Sequence, residues 1–246
     1  MQIDHIWDRS APSAFTDIAK VGDHLYCTFR EGSGHIPGLN GVVRVIRSRD
    51  EADWESVALL TERHIDLRDP KPSITPDGRL MVNMGASTYH GKERLGIASR
   101  VSFSGRDGTG FSPPQKAELP ESIVTGFDWL GRVTFHDGWA WGAVQQIPPA
   151  AMLRPGETRR LQLVRSKDGV RWEHVVTLPL LAPSETTLRF DADGTLLAMI
   201  RNVGTPAMGS IGVSRPPYHE WKLQATDKGF GGPNFVKLPR SSKAAP

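Results

Sequence analysis

The sequence predicts an all-β fold, a β-propeller built from four-stranded antiparallel blades, and two interleaved repeats carry that prediction. The first is a serine, an aspartate two or three places on, a turn and an aromatic residue. It occurs as SRDEADW at 48–54, SGRDGTGF at 104–111 and SKDGVRW at 166–172. The aspartate caps the backbone N–H groups of a hairpin tip and the aromatic opens the next strand. Its copies, Asp50, Asp107 and Asp168, stand 57 and 61 residues apart. The second repeat is an apolar strand, a tight turn ending in glycine, and another apolar strand. Its glycines, Gly22, Gly78, Gly138 and Gly194, are spaced by 56, 60 and 56 residues. Two markers holding one period identify a repeat architecture, and about four short strands per period are what a propeller blade requires.

Blade one takes strands near 15–21, 24–30, 42–48 and 54–60. Leu25, Cys27 and Phe29 alternate with Tyr26, Thr28 and Arg30, the two-residue period of a strand. The glycine-rich loop at 32–41 leaves from Arg30-Glu31 and carries His35 and Asn40, and loops at strand ends commonly hold binding residues. Cys27, the single cysteine, has no intrachain partner and reads as a buried small hydrophobe. Blade two has strands near 71–75, 79–85, 95–102 and 110–118, entered by the charged run Asp66, Arg68, Asp69. Pro70 and Pro72 suit an innermost strand, whose channel side has no neighbour to receive every N–H.

Blade three has strands near 131–136, 139–145, 160–166 and 171–178. Trp139 and Trp141 share one face of the second of these, for packing between blades or as a platform for a sugar ring. Residues 147–158 read as a proline-rich insertion overhanging one face. Blade four has strands near 186–190, 195–201, 210–214 and 220–224. Its turn phrase is worn to SRPPYHEW, with Trp221 keeping the aromatic place. GGPNFVKLP at 231–239 reads as the innermost strand of a fifth blade, but the glycine due near 240 does not follow. Four blades and one strand leave two sheet edges open, which predicts self-association or a second chain completing the ring. One propeller domain over 1–246, its ring incomplete, is the expected organisation.

Composition narrows the function classes. Apolar residues make up 38% and charged residues 23%, with 25 Gly and 19 Pro, which suits tight turns and not a helical bundle. The formal charge is +3 and the basic residues are scattered, so no basic stripe with interleaved aromatics points to nucleic acid. No apolar run approaches the roughly eighteen residues of a membrane span. The first residues, MQIDHIWDRS, lack the pattern of a signal peptide, so a cytoplasmic location is the default unless a leader has been removed. Neither a metal-ligand pattern nor a dinucleotide or phosphate loop is present, and no metal or cofactor is expected.

Propeller chemistry is grafted on the channel mouth, and fold alone does not specify it. The register brings Asp17, Arg30, Glu31, Asp66, Arg68, Asp69, Arg132, Glu185, Arg189, Arg201 and Asn234 toward that mouth. Arginines gathered with carboxylates fit an anionic or hydroxylated ligand through bidentate contacts, or else satisfy one another as a structural network. Glycoside hydrolysis needs two poised groups, commonly carboxyls; Asp66, Asp69, Glu31 and Glu185 are the candidates. His35, His90 and His136 are possible proton carriers, with His90 and His136 reading as surface or hydrogen-bonding residues.

The SKDGVRW phrase resembles the Asp box, the bacterial neuraminidase repeat of the sialidase superfamily. AFTDIAKVGDHLYCTFREGSGH, DLRDPKPSITPDGRLM, ETTLRFDADGTLLAMIRN and FGGPNF together look like bacterial sialidase-like exo-glycosidase proteins, over about residues 12 to 237. That resemblance implies a six-bladed ring with one to two blades not in this chain. It also implies an arginine triad for a substrate carboxylate, an aspartate acid/base, and a tyrosine nucleophile assisted by a glutamate. Phe29-Arg30 matches the first arginine, Arg201 corresponds to a second by blade position, and Glu185 could stand in for the glutamate. Where the acid aspartate belongs, the chain has Asn40, and Tyr26, Tyr89 and Tyr218 match no nucleophile.

Three readings follow. One is a sialidase-like hydrolase removing a terminal sugar, with Arg30, Glu31, Arg68, Arg132, Arg189, Arg201 and Asn234 holding substrate and Asp66, Asp69 or Glu185 supplying acid/base chemistry. Another is a non-catalytic carbohydrate-binding propeller that stacks sugar on Trp139 or Trp129. The third is a chain that folds only with a partner or as an oligomer.

Overall fold

The computed structural model describes residues 3–9, 12–35, 40–148 and 153–238. It is an all-β, four-bladed propeller. Blade one is β1 (Ser13–Val21), β2 (His24–Glu31), β3 (Val42–Ser48) and β4 (Glu55–Leu60), and blade two is β5 (Asp66–Ile74), β6 (Leu80–His90), β7 (Glu93–Phe103) and β8 (Gln115–Lys116). Blade three contains β9 (Asp128–Leu130), β10 (Thr134–His136), β11 (Trp139–Gln146), β12 (Arg160–Ser166) and β13 (Trp172–Thr177). Blade four is β14 (Pro183–Phe190), β15 (Leu196–Asn202), β16 (Ser210–Ser214) and β17 (Lys222–Ala225). In every blade the strands pair antiparallel in sequence order, and β9 joins blade three as a fifth strand against β11.

Both repeats do the local work expected of them. The turn glycines 22, 78, 138 and 194 have φ of 57°, 83°, 69° and 78°, a conformation glycine adopts without a Cβ clash. In the third Asp box, Asp168 Oδ1 accepts from the Val170 and Arg171 N–H groups at 2.8 Å each and from Ser166 Oγ at 3.1 Å. The first box repeats the pattern, with Asp50 accepting from Ala52 and Asp53. Asp168→Ala is expected to cost about 1 kcal/mol, read as a lower urea midpoint, because its bonds lie at a solvent-exposed tip.

In blades two, three and four the aromatic that follows the tip packs toward the preceding blade. Phe111 joins the core between blades one and two, where Tyr26, Val43 and Val45 meet Leu80, Val82 and Met84. Trp172 lies in the core between blades two and three with Met81, Val101 and Leu130. Trp221 packs on the core between blades three and four, where Trp141 and Leu163 meet Leu188 and Ile200. Trp54 faces outward from blade one, and there Trp7 from the N-terminal segment covers Cys27, Phe29 and Ile46. Cys27 is 5% exposed, and burial pushes its thiol up to about 11. Thiol reagent at pH 7.5 is therefore expected to label it only as the protein unfolds, which a labelling rate that tracks urea concentration would show.

Three expectations are corrected. The strand expected near 110–118 shrinks to β8, because Pro113 and Pro114 precede it. The innermost strand of blade three is broken: residues 131–133 separate β9, which pairs with 144–146 of β11, from β10, which pairs with 139–141. Residues 231–238 form no strand. They run beside β14 on side-chain bonds instead, Thr187 Oγ1 donating to the Pro233 carbonyl at 2.7 Å and Lys237 pairing with Asp191. Of the insertion expected at 147–158, residues 149–152 lie outside the described residues. Its described end is tied down by buried Glu157, which holds Arg154 and Arg160.

Candidate functional site

The four innermost strands surround a cavity of about 260 Å³ at the channel mouth. Blade one contributes Asp17, blade two Asp69 and Lys71, and blade three Trp129, Gln145 and, from the break between β9 and β10, Arg132. Blade four contributes Glu185, and the segment after it Asn234. Asp17 on β1 ion-pairs with Arg132 across the cavity, tying blade one to blade three.

Asp69 enters the cavity because β5 carries a bulge there. The β5–β6 register slips between Arg68 and Lys71, and Asp69 takes φ 49°. Positive φ at a non-glycine residue is a strained backbone, and such residues cluster at functional sites. The following Pro70 has no N–H to hold this stretch in the ladder. Burial pushes the Asp69 carboxyl up to about 6; the charges of Lys71, Arg68 and His35 pull it down, and that of Glu185 pushes it further up. Glu185 on β14 is held by Arg201 on β15, Nη1 to Oε2 at 2.7 Å, leaving both side chains more than a third exposed.

Arg30, Asp66 and Arg68 do not reach the cavity. Arg30 donates from Nε at 3.0 Å and Nη2 at 2.8 Å to Asp66 Oδ1, and their side chains are 2% and 1% exposed. Arg68, equally buried, sits 3.8 Å from Asp66 and 3.6 Å from Asp69, and its guanidinium donates to the His35 carbonyl at 2.6 Å and Tyr89 Oη at 3.4 Å. Burial in this network, in which Asp66 Oδ2 and Arg68 Nε make no hydrogen bond, keeps Asp66 from the cavity as an acid, and Arg30 and Arg68 as substrate contacts. A Cβ built on Gly41 would overlap Asp66 Oδ1 and Arg30 Nε, so even one methyl has no room beside the pair.

Glu31 is corrected as well. Adjacent residues of a strand face opposite sides, and Glu31 accepts two bonds of 3.0 Å from Arg44 on β3 and another from Trp7 Nε1. Arg189 lies beside the mouth, donating to Thr134 Oγ1 at 3.2 Å and Asn234 Oδ1 at 3.0 Å. Burial and the nearby Arg132 charge bring it down to about 10. Trp139 is no sugar platform, since Arg165 and Lys167 already stand over its ring at 4.2 and 3.6 Å. Trp141 is buried against Phe190 and Tyr218. His136 stacks on Phe190 with ring centres 4.1 Å apart, and His90 is exposed. Lys71, Gln145, Arg94 and Arg159 belong to the cleft but were missed. Lys71 was legible, because it follows Asp69 by two in an inner strand.

No family model and no curated protein matches the chain. Solved structures do. A protein of unknown function from Dyadobacter fermentans aligns over 88% of this chain and 70% of its own, with 15% identity and a TM-score of 0.74. Trypanosoma rangeli sialidase in complex with sialic acid aligns over 87% of this chain at 14% identity and TM-score 0.68, and a Bombyx mori GH32 β-fructofuranosidase over 90% at 11% and 0.60. The chain spans 37% of the length of that sialidase and 51% of that fructofuranosidase. These likenesses define a class by fold, a β-propeller of the kind seen in sialidases and other glycoside hydrolases.

Proposed function

We propose that the chain carries the cleft of a sialidase-like glycoside hydrolase that removes a terminal sugar from a glycan. One observation supports this most: Asp69, on a strained bulge, holds its carboxyl near pH 6 within the field of a second carboxylate, Glu185. A general acid works best when its pKa lies near the operating pH, and paired carboxyls are the usual apparatus of glycoside hydrolysis. In this reading protonated Asp69 gives its proton to the glycosidic oxygen as the bond between that oxygen and the anomeric carbon breaks and its electron pair moves to the oxygen. Water then adds to the anomeric carbon and returns a proton to the Asp69 carboxylate. Glu185, fixed by Arg201, faces the positive charge that develops on the sugar. Lys71, Arg132, Gln145 and Asn234 hold its hydroxyls, and Trp129 offers a ring face.

A carbohydrate-binding propeller without catalysis is the second reading. It is favoured by Arg30: the arginine matching the sialidase triad is sealed by Asp66, so this cleft lacks one clamp for a sialic acid carboxylate. A panel of aryl glycosides, assayed with the full chain from pH 4 to 8, separates the two. Turnover that falls as pH rises through about 6, and that Glu185→Gln abolishes, is the expected result. Saturable sugar binding with no turnover of any member would establish the second reading instead.

A further inference from the structure

Beyond Glu185 the cleft opens into a second limb of about 280 Å³, where three guanidinium groups from three blades meet. Arg94 stands on β7, Arg159 just ahead of β12, and Arg201 on β15. A single carboxylate lines this limb, that of Glu185, and its ion pair goes to Arg201. Arg189 is held by neutral groups alone, whereas three other half-buried arginines are neutralised by carboxylates, Arg44 by Glu31, Arg100 by Glu62 and Arg132 by Asp17. Among the described residues Arg94 and Arg159 have no such partner; Arg94 lies over the Phe127 ring at 5.9 Å. Burial and the like charges of Arg201 and Arg94 lower the proton affinity of Arg159, and the Glu185 charge offsets them only in part. Half-buried positive charges that repel one another cost free energy unless an anion completes them.

We propose that this limb is an anion subsite, in which Arg94 and Arg159 hold a sulfate or carboxylate substituent on the sugar next to the one seated between Asp69 and Glu185. Two planar guanidiniums suit such an oxyanion, because each can donate two parallel bonds to it. Ile97, Phe127 and Trp129 line the same limb and supply apolar wall for the ring that bears the charge. Arg94 and Arg159 are not among the inner-strand positions that carry the sialidase resemblance, and they lie off the channel axis. The inference rests on the glycan-cleft reading for what the anion is attached to, but not for the anion itself.

Calorimetric titration of the full chain with glucose 6-sulfate, glucuronate and glucose, at fixed ionic strength, tests it without needing turnover. At least one of the two acids is expected to bind about tenfold or more tightly than glucose, and the better one identifies the substituent as sulfate or carboxylate. Arg94→Gln and Arg159→Gln should each weaken that acid by about fivefold or more, whereas Arg171→Gln, at the exposed hairpin tip of blade three, should leave it unchanged. Neither acid binding more tightly than glucose, or the double variant R94Q/R159Q binding as the parent does, overturns the subsite. Turnover of a neutral glycoside alongside that negative result would leave the hydrolase reading intact. Arginine-dependent acid binding with no turnover would instead sustain the subsite and remove the hydrolase.

Discussion

Asp69→Asn is expected to abolish turnover and, at the same time, to make the protein more stable at neutral pH. Removing the proton donor should lower kcat by about a thousandfold or more while sugar affinity stays within about tenfold. The stability effect follows from the raised carboxyl, 3.8 in the ordinary case and about 6 here. A folded-state pKa above the unfolded one means that the native state binds the proton more tightly. Its stabilising contribution is therefore complete below about pH 3.8 and is lost as pH rises through about 6. Above that, the parent carries a buried charge costing up to about 3 kcal/mol, by the linkage of roughly 1.4 kcal/mol per pKa unit. Asparagine carries no such charge. Urea midpoints should rise in D69N at pH 7.5, and the fall in stability between about pH 4 and 6 should flatten. An unchanged midpoint would mean that Asp69 is solvated and no poised acid.

The second large effect is expected at the network beneath the cleft. Asp66→Ala would leave Arg30, 1% exposed, as a buried cation whose two donors have lost their acceptor. Breaking one half of a buried pair costs about 3–5 kcal/mol, whereas replacing both halves by apolar residues is often nearly neutral. Asp66→Ala should therefore unfold at much lower urea, and the double variant R30M/D66L should recover most of the loss. A double-mutant cycle measures the coupling, with a value near zero contradicting the structural role given to this pair. If Arg30 instead contacted substrate, R30M/D66L would fold well yet bind sugar poorly.

The blades were legible because each needs a left-handed turn, which selects glycine, and an Asp-capped tip, which leaves its mark in three places. The strand breaks were less so. Gly131 and Arg132 interrupt an inner strand without a proline to mark the break. The Gly231-Gly232-Pro233 start of the last segment, read as a strand, holds itself by side chains instead of a ladder. At the site, Glu31 could have been excluded from the alternation of β2 alone. The sealing of Arg30 could not, since its partner Asp66 lies 36 residues away in another blade. Arg94 and Arg159 sit at the ends of third strands of their blades, β7 and β12, where the repeat register does not mark the channel. Asp69 was found by position, but its poise comes from a bulge and a neighbouring blade, neither of which is written in local sequence.

The most direct test of the central claim is the titration of the Asp69 carboxyl itself, followed by carbon-13 NMR and assigned by its loss in D69N. The midpoint is expected at about 6 in the parent and lower in Glu185→Gln, where a like charge is gone and Arg201 is released. A midpoint near 3.8 that Glu185→Gln does not move would contradict a poised acid in the cleft.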